Sequence, residues 1–416
     1  MAAGSDSIMF YTLFFLALLI FTLLFMSSTK PGVTRIQTLP SPPALPIIGH
    51  LHHLMGLTMH KSFQNLARLY GPLLQLRLGA STCVVVSNAQ VAREVMKTHE
   101  LNFSYRPLFG SNDYNQYKDS YFITAPYGPY WRFLKKLCVT RLHSNSRLGH
   151  LMHIREQEIK KLLEFLMMCS REGRACDLSV QLTALTNNII CRMAMSTSRV
   201  GEDNDANLVH LLIEEYVELG GKLSVGEVLG PLGKLDLFGY GRRLQKVVAK
   251  FDQVVERIMK EHEENNEEHA RDMMDILLQV YRDPNAESRL TRNDIKAFFQ
   301  EIFLAGTDTT SKTLLWIMAE IISHPHVLNN LRAEIDPVVG STRLDFTYIP
   351  FGRGRRGCPG ESLALIVMHA TVASLIQCFD WKIDGGDKVD MEEGSGFAVG
   401  LAKPLVVYPI TRFSPF

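Results

Sequence analysis

Residues 351–360 decide how the rest of the chain is interpreted, and they read Phe351-Gly352-Arg353-Gly354-Arg355-Arg356-Gly357-Cys358-Pro359-Gly360. One cysteine stands among four glycines and three arginines, just before the apolar run from Leu363 to Cys378. Arginines and a helix N-terminus stabilise the thiolate, which is the reactive and metal-binding form of cysteine. Glycines let the backbone approach the sulfur or a flat ligand closely. A lone cysteine is most often a buried core residue, but core cysteines are not normally surrounded by glycine and arginine.

The kind of metal follows from how few ligands this stretch offers. No second cysteine or histidine accompanies Cys358 within it. Zinc takes four ligands, so a lone thiolate does not suit it. Haem iron receives four ligands from the porphyrin and needs only an axial ligand from the protein, which a lone thiolate can supply.

The stretch resembles the haem-thiolate signature of the cytochrome P450 superfamily, Phe-x-x-Gly-x-Arg-x-Cys-x-Gly. All five fixed positions are present, as Phe351, Gly354, Arg356, Cys358 and Gly360. A match at so many positions is highly specific. The resemblance implies that Cys358 is the axial ligand of haem b and that the fold is mainly α-helical, with a small β region.

A second motif lies inside the longest predicted helix, which Thr291 caps and which extends over about 292–323. Its middle reads Ala305-Gly306-Thr307-Asp308-Thr309-Thr310, although glycine and runs of threonine lower helix propensity. The motif resembles the oxygen-binding groove of the same family. The resemblance implies that Gly306 leaves room above the iron, and that Asp308 and Thr309 guide water and protons to dioxygen. The alternative is a kinked core helix whose threonines bond to preceding carbonyls.

Trp131 and Lys135 are four residues apart on a predicted helix after Pro129, and so share one face. The family has Trp-x-x-x-Arg here, which binds a haem propionate together with the signature arginine, Arg356. Lysine at position 135 keeps the positive charge but lacks the planar guanidinium. Taken alone, the pair would indicate a buried tryptophan beside a solvated lysine.

Ile8 to Met26 is a run of nineteen uncharged residues, long enough to cross a bilayer as a helix. Asp6 precedes it and Lys30 and Arg35 follow it, which places the following residues in the cytosol. We therefore expect a membrane anchor over 1–29, a proline-rich hinge over 30–50 and a catalytic domain over 51–416. A cleaved signal peptide is the alternative for the first segment.

Composition agrees with a cytosol-facing enzyme on the endoplasmic reticulum membrane, with a single membrane span. The charges nearly cancel, with 44 basic against 43 acidic residues, so no global field favours nucleic acid. Seven cysteines are scattered without a disulfide framework, which is typical of a reducing compartment.

Periodicity and turn residues predict the remaining elements. Two strands of a hairpin are expected at 73–78 and 83–86, and short strands at 381–383 and 405–408. A loop over 106–121 would form a wall of the substrate pocket, as the family resemblance implies. Helices are expected at 60–70, 88–99, 147–169, 178–196, 241–268, 324–338 and 363–378.

One part of the family pattern has no counterpart, because Thr309 and Cys358 are only 49 residues apart. Family members carry there a helix with Glu-x-x-Arg, several strands and a meander. Glu268 and Arg271 match the letters but precede the oxygen-groove helix, in a charged segment. We expect an internal deletion near 344/345, from a skipped exon or an incorrect gene model, and a cysteine loop that loses its support from behind.

The sequence therefore predicts an internally truncated cytochrome P450 fold. By resemblance, its reaction is insertion of one oxygen atom from O2 into a small apolar or phenolic metabolite of plant secondary metabolism, of flavonoid or triterpenoid type. Electrons would come from NADPH through NADPH–cytochrome P450 reductase, docked on Lys135, Lys136, Arg353 and Arg355. Two alternatives remain: a catalytically dead, membrane-anchored isoform, and a haem-thiolate isomerase or lyase, which Asp308 and Thr309 disfavour.

Overall fold

The computed structural model describes two compact units. The first comprises residues 1–98 and 224–235, and the second comprises 99–223 and 236–416. The residues described are 12, 15–16, 39–46, 48–55, 58–79, 81–107, 113–196, 205–228, 236, 238–265, 272–335, 348–383, 388–394 and 398–416.

The first unit contains helix α1 (Met59–Tyr70), strands β1 (Leu73–Leu78) and β2 (Ser81–Val86), and helix α2 (Ala89–Arg93). The strands form the predicted antiparallel hairpin, with Leu73 opposite Val86 and Leu78 opposite Ser81. A small core of Leu66, Leu74 and Leu76 joins α1 to this hairpin. Asn88, the first residue of the helix predicted over 88–99, caps α2, because its side chain accepts the N–H of Val91 at 2.8 Å.

The second unit is mainly helical, as predicted. Its helices are α3 (Pro129–Leu137), α4 (Asn145–His150), α5 (Met152–Glu172), α6 (Leu178–Met195), α7 (Asp205–Val228, of which the residues from Ser224 belong to the first unit), α8 (Tyr240–Asn265), α9 (Met273–Arg282), α10 (Arg292–Ser323), α11 (Pro325–Ile335) and α12 (Glu361–Cys378).

The helices differ from the prediction at four places. Helix α2 ends at Arg93 and a π-helix follows it over Glu94–Thr98, and no helix was predicted at α7. The helix expected over 147–169 is divided at Leu151 into α4 and α5, and Ser144 caps α4 by accepting the N–H of Arg147. Helix α9 was not predicted, although Asp272 caps it through the N–H of Asp275 and six of its ten residues are buried. Its apolar face is recognisable only once its packing partners, α6 and α8, are known.

Helix α10 is the centre of the second unit, since it packs on α6, α8, α11 and α12. It begins with the predicted capping box, in which Thr291 and Asp294 satisfy each other's backbone N–H groups. Eighteen of its 32 residues are buried, and ten of these belong to a continuous hydrophobic core with α5, α6 and α12. A helix buried on several sides is a rigid support for side chains on its remaining face.

A three-stranded sheet in the order β3-β5-β4 completes this unit, with β3 (Cys176–Asp177), β4 (Phe379–Ile383) and β5 (Val406–Thr411). All pairings are antiparallel, and Phe379 lies opposite Thr411. The two C-terminal strands predicted from sequence are thereby confirmed. Strand β4 follows α12 directly, so the sheet fixes the C-terminal end of the helix that follows the cysteine loop.

Several predictions fall on residues outside the described ranges. They are most of the segment 8–26, Glu268 and Arg271, the junction at 344/345, and parts of the loop 106–121. Among the described residues, one helix, α12, is long and apolar enough to cross a membrane by length and composition. It packs on α10 and α5 within the second unit, as the core helix of a folded unit does.

Candidate functional site

The loop that carries Cys358 is tied to itself by backbone hydrogen bonds. The N–H of Cys358 donates to the carbonyl of Phe351 at 2.9 Å, and the N–H of Gly357 donates to that of Gly354 at 3.0 Å. Gly352 and Gly354 have φ angles of 68° and 69°, which favour glycine. The thiol of Cys358 is exposed at the end of this turn, directly before α12.

Lys135 and Arg356 bring positive charge to this loop. The Lys135 ammonium donates to the carbonyl of Gly357, next to Cys358. Arg356 donates to the carbonyls of Ser104 and Ala125, at 2.8 and 2.6 Å. Burial lowers the pKa of both Lys135 and Arg356 from their ordinary values.

Trp131 joins these charges to the aromatic part of the site. Its side chain is buried; it stacks on Phe122 and packs against the tilted ring of Tyr127, with ring centroids 5.9 and 5.4 Å apart. The guanidinium of Arg356 lies 4.5 Å from the centre of the Trp131 ring. The structure thus brings together three predicted residues, Trp131, Lys135 and Arg356, around the cysteine loop.

Three of the four basic residues assigned to the reductase-docking surface already have partners. Arg355 pairs with Glu100 at 2.7 Å, and Lys136 pairs with Glu287 at 2.7 Å. Lys135 is bound to the cysteine loop as described above. Ion pairs of this kind reduce the net positive charge that an acidic partner would meet.

The contacts of Lys135, Arg355 and Arg356 also change one expectation about the loop. The sequence predicts a cysteine loop that loses its support from behind, because the Glu-x-x-Arg helix has no counterpart. In the structure, Arg355 reaches Glu100 and Tyr127, and Arg356 reaches the backbone carbonyls of Ser104 and Ala125. The loop is therefore supported from the side that carries Trp131.

Helix α10 presents Ala305 and Thr309 on one exposed face, because residues four apart lie above one another. The Thr309 hydroxyl donates to the carbonyl of Ala305 at 2.6 Å. Asp308, on the neighbouring face, pairs with Lys312 at 2.7 Å. The oxygens of Thr309 and Asp308 are therefore accessible from outside the helix.

Gly306 lies on a different face of α10 from Ala305 and Thr309. A Cβ atom at Gly306 would come within 2.9 Å of Cδ1 of Ile190 on α6. The missing side chain thus allows close packing of α10 on α6. Any space that a ligand uses beside this part of α10 would come from the small residues at 305 and 309.

Glu301, which lies one turn before Ala305, was not among the predicted site residues. Its carboxylate is buried and accepts the N–H groups of Phe122 and Ile123, at 2.8 and 2.7 Å. Burial raises the pKa of Glu301 to about 8. The only signal in the sequence was a carboxylate within the apolar run Phe298–Leu304, and its partners are about 180 residues away.

The described residues fit a haem group better than a metal ion bound by protein alone. Within the described ranges, the one cluster of at least three metal-ligating side chains is His262, Asp272 and Asp275, which does not include Cys358. A lone exposed thiol suits a metal whose other ligands belong to a macrocycle. The open face at Ala305 and the cations Lys135 and Arg356 suit a flat, dianionic ligand.

Comparison with known proteins agrees with a haem-binding site. The family model for cytochrome P450 matches residues 39–347 and, separately, residues 341–408. A 3,9-dihydroxypterocarpan 6A-monooxygenase from Glycine max is 35% identical, over 91% of this chain and 94% of the relative. A beta-amyrin 24-hydroxylase from Glycine max is 32% identical, over 98% of both chains. Cytochrome P450 705A20 from Arabidopsis thaliana is 35% identical, over 98% of this chain and 96% of the relative.

A solved structure supports the predicted fold class. A zebra fish cytochrome P450 with progesterone superposes with a TM-score of 0.69 and 23% identity, over 85% of this chain and 100% of that chain. The alignment with the pterocarpan enzyme extends over 480 positions, more than the 416 residues of this chain. The relative therefore has residues at positions where this chain has none.

Proposed function

The chain belongs to the cytochrome P450 family, and from that premise we propose that it is a haem-thiolate monooxygenase acting on a small apolar or phenolic plant metabolite. The observation that carries the proposal is the exposed thiol of Cys358, in a glycine-rich turn that Lys135 contacts and whose Arg356 packs on Trp131. Helix α12 begins directly after this turn and packs on α10, which carries the exposed face of Ala305 and Thr309.

Cys358 would be the axial ligand of haem b. Trp131, Lys135 and Arg356 would hold the propionates, and Phe351, Gly354 and Gly360 would shape the turn beside the ring. When bound, the haem supplies an iron centre that takes up dioxygen and, with electron density from the thiolate, cleaves its O–O bond. A Cβ atom at Gly360 would lie 3.9 Å from the Cys358 sulfur, so glycine keeps this side of the thiolate open.

Proton transfer would be the task of Thr309 and Asp308. The Thr309 hydroxyl donates a hydrogen bond to the Ala305 carbonyl, so its oxygen lone pairs can accept a hydrogen bond from water. The Asp308 carboxylate, held by Lys312, lies at the adjacent position and can exchange protons with bulk water. Such a relay acts as general acid catalysis. A haem-thiolate isomerase or lyase would not need it.

The proposed substrates are flavonoid-type or triterpenoid-type metabolites, since the printed names of two relatives refer to a pterocarpan and to beta-amyrin. Electrons would come from NADPH through a flavin reductase. Arg353, which is exposed, and the partly paired Lys136 and Arg355 would form its docking surface. Reduction should then slow as ionic strength is raised.

The proposed location is the endoplasmic reticulum membrane, with one span and a cytosolic catalytic domain. The uncharged run Ile8 to Met26 followed by Lys30 and Arg35 supports this location. A deletion near 344/345 is proposed as well, and the two family matches that meet at 341–347 support it. The alternative is a catalytically dead, membrane-anchored isoform.

Incorporation of labelled oxygen tests the proposal. Microsomes containing the chain, NADPH and reductase are incubated under ¹⁸O2 with flavonoids, pterocarpans and triterpenes. We expect one product that contains a single ¹⁸O atom, and none with Cys358→Ala. Thr309→Ala should lower product yield more than NADPH consumption, since its lost hydroxyl serves proton delivery. Haem-loaded chain that yields no labelled product from these substrates would contradict the proposal.

A further inference from the structure

Residues 115–127, named the strap here, are attached to the N-terminal half of α10 by buried polar contacts. The Tyr121 hydroxyl donates to the side-chain carbonyl of Gln300 at 2.5 Å. The next two backbone N–H groups, of Phe122 and Ile123, donate to the two carboxylate oxygens of Glu301, at 2.8 and 2.7 Å. Both oxygens of one buried side chain on α10 therefore bind the strap.

The cysteine loop binds the same part of the strap through Arg356, two residues before Cys358. Its Nη2 donates to the carbonyl of Ala125 at 2.6 Å, and its Nη1 donates to the carbonyl of Ile123 at 3.4 Å. Its Nε donates to the carbonyl of Ser104 at 2.8 Å. All three contacts are made to backbone oxygens, so they fix the path of the chain whatever its side chains are.

Ile123 is the residue at which the two attachments meet. Its N–H donates to Glu301 and its carbonyl accepts from Arg356. The Arg356 guanidinium is ionised, and hydrogen bonds to ionised groups are about twice as strong as neutral ones. These bonds also satisfy backbone groups that no helix or strand satisfies here.

We propose that Glu301 is a positioning residue for the cysteine loop, acting through the backbone of Ile123 and through Arg356. The importance of Glu301 for catalysis rests on the proposed function. The structural link from Glu301 through the strap to the cysteine loop exists without a bound cofactor. Displacement of the strap from α10 would remove two of the carbonyls that hold Arg356. Lys135 and Arg355 hold the loop independently, so the coupling is partial.

Hydrogen exchange of the full chain in nanodiscs at one pH tests the link. Glu301→Gln keeps the side-chain volume but sets an amide donor against one strap N–H. We expect exchange in peptide 351–360, which reports the N–H groups of Gly357 and Cys358, to become about tenfold faster. Glu320→Gln is the matched control, because Glu320 is an exposed carboxylate on the same helix. It should leave this peptide unchanged.

The reverse experiment uses Arg356→Lys, since energetic coupling between two sites is reciprocal. We expect faster exchange in the strap peptide 119–126, and a double variant no faster than the faster single variant. Should Glu301→Gln fail to fold, Glu301→Asp, which keeps the carboxyl group on a shorter side chain, replaces it. Faster exchange of the strap with a cysteine loop that exchanges as in the wild type would overturn the proposal.

The carbon monoxide difference spectrum of the same samples separates this proposal from the proposed function. Loss of the thiolate-haem band in the wild-type chain would count against the proposed function and leave the exchange result intact. A thiolate-haem band in the wild-type chain, together with faster exchange of the strap but unchanged exchange of the cysteine loop in Glu301→Gln, would count only against the role of Glu301.

Discussion

Replacing Glu301 by glutamine should flatten the dependence of folding stability on pH. Burial raises the pKa of Glu301 to about 8, against an ordinary value of 4.5. Because the folded-state pKa is the higher one, the contribution of this group to stability is fully present below the unfolded-state pKa. It is lost as the pH rises through about 8. Between pH 6 and pH 9 the loss is about 3 kcal/mol, at 1.36 kcal/mol per pKa unit.

The titratable groups that face Glu301 do not counteract this effect. They are Tyr121 from the strap, Tyr130 and Cys138 from α3 and the turn after it, and Tyr216 from α7. Burial raises the pKa of each above its ordinary value, so all four remain neutral over the range tested. The pH dependence near Glu301 is therefore that of its own carboxyl group.

The assay is urea unfolding of the full chain in detergent micelles, followed by tryptophan fluorescence at pH 6 and pH 9. The wild type should lose about 3 kcal/mol more of its free energy of unfolding over this range than Glu301→Gln does. Glu320→Gln, whose side chain is exposed, should behave as the wild type. An equal loss in the wild type and in Glu301→Gln would refute the assignment of the raised pKa to Glu301.

Three further predictions concern other parts of the second unit. Gly306→Val should destabilise the chain by about 1–3 kcal/mol in urea unfolding, because its side chain meets Ile190, and Ile190→Ala should restore part of the loss. The side chain of His262 is buried against Asp272. Burial opposes the charge of His262, but the hydrogen bond to Asp272 raises its pKa. The stability that this pair contributes is therefore lost as the pH rises. Asp272→Asn, which can still cap α9, should therefore lower the free energy of unfolding by about 3 kcal/mol at pH 6 and by less at pH 9. An equal loss at both pH values would contradict the pairing of His262 with Asp272. Lys135→Met should release haem to a scavenger protein about tenfold faster than the wild type, whereas Lys135→Arg should not, and equal rates would exclude a role in haem retention.

Local patterns in the sequence were sufficient for the cysteine turn and for the start of α10. The glycines at 352 and 354 adopt the positive φ angles that their residue type favours. Thr291 and Asp294 form the capping box that their spacing predicts. Both features depend on residues within a few positions of one another, which is why a single sequence can reveal them.

The contacts of the site depend on residues far apart in the chain, and the sequence did not reveal them. Glu301 and its strap partners are separated by about 180 residues, and Arg356 and Ala125 by 231. Nothing in the local pattern indicates that a carboxylate in an apolar helix will bind two backbone N–H groups. The close packing of Gly306 on α6 likewise became clear only from the three-dimensional arrangement.

The reduced-minus-oxidised carbon monoxide difference spectrum of the full chain in microsomes shows whether Cys358 ligates haem iron. We expect a red-shifted Soret band, typical of thiolate-ligated haem, in the wild-type chain and its disappearance in Cys358→Ser. A band at the position of histidine-ligated or denatured haem, or no band at all, would contradict it. The chain would then retain the residues of the family without its chemistry.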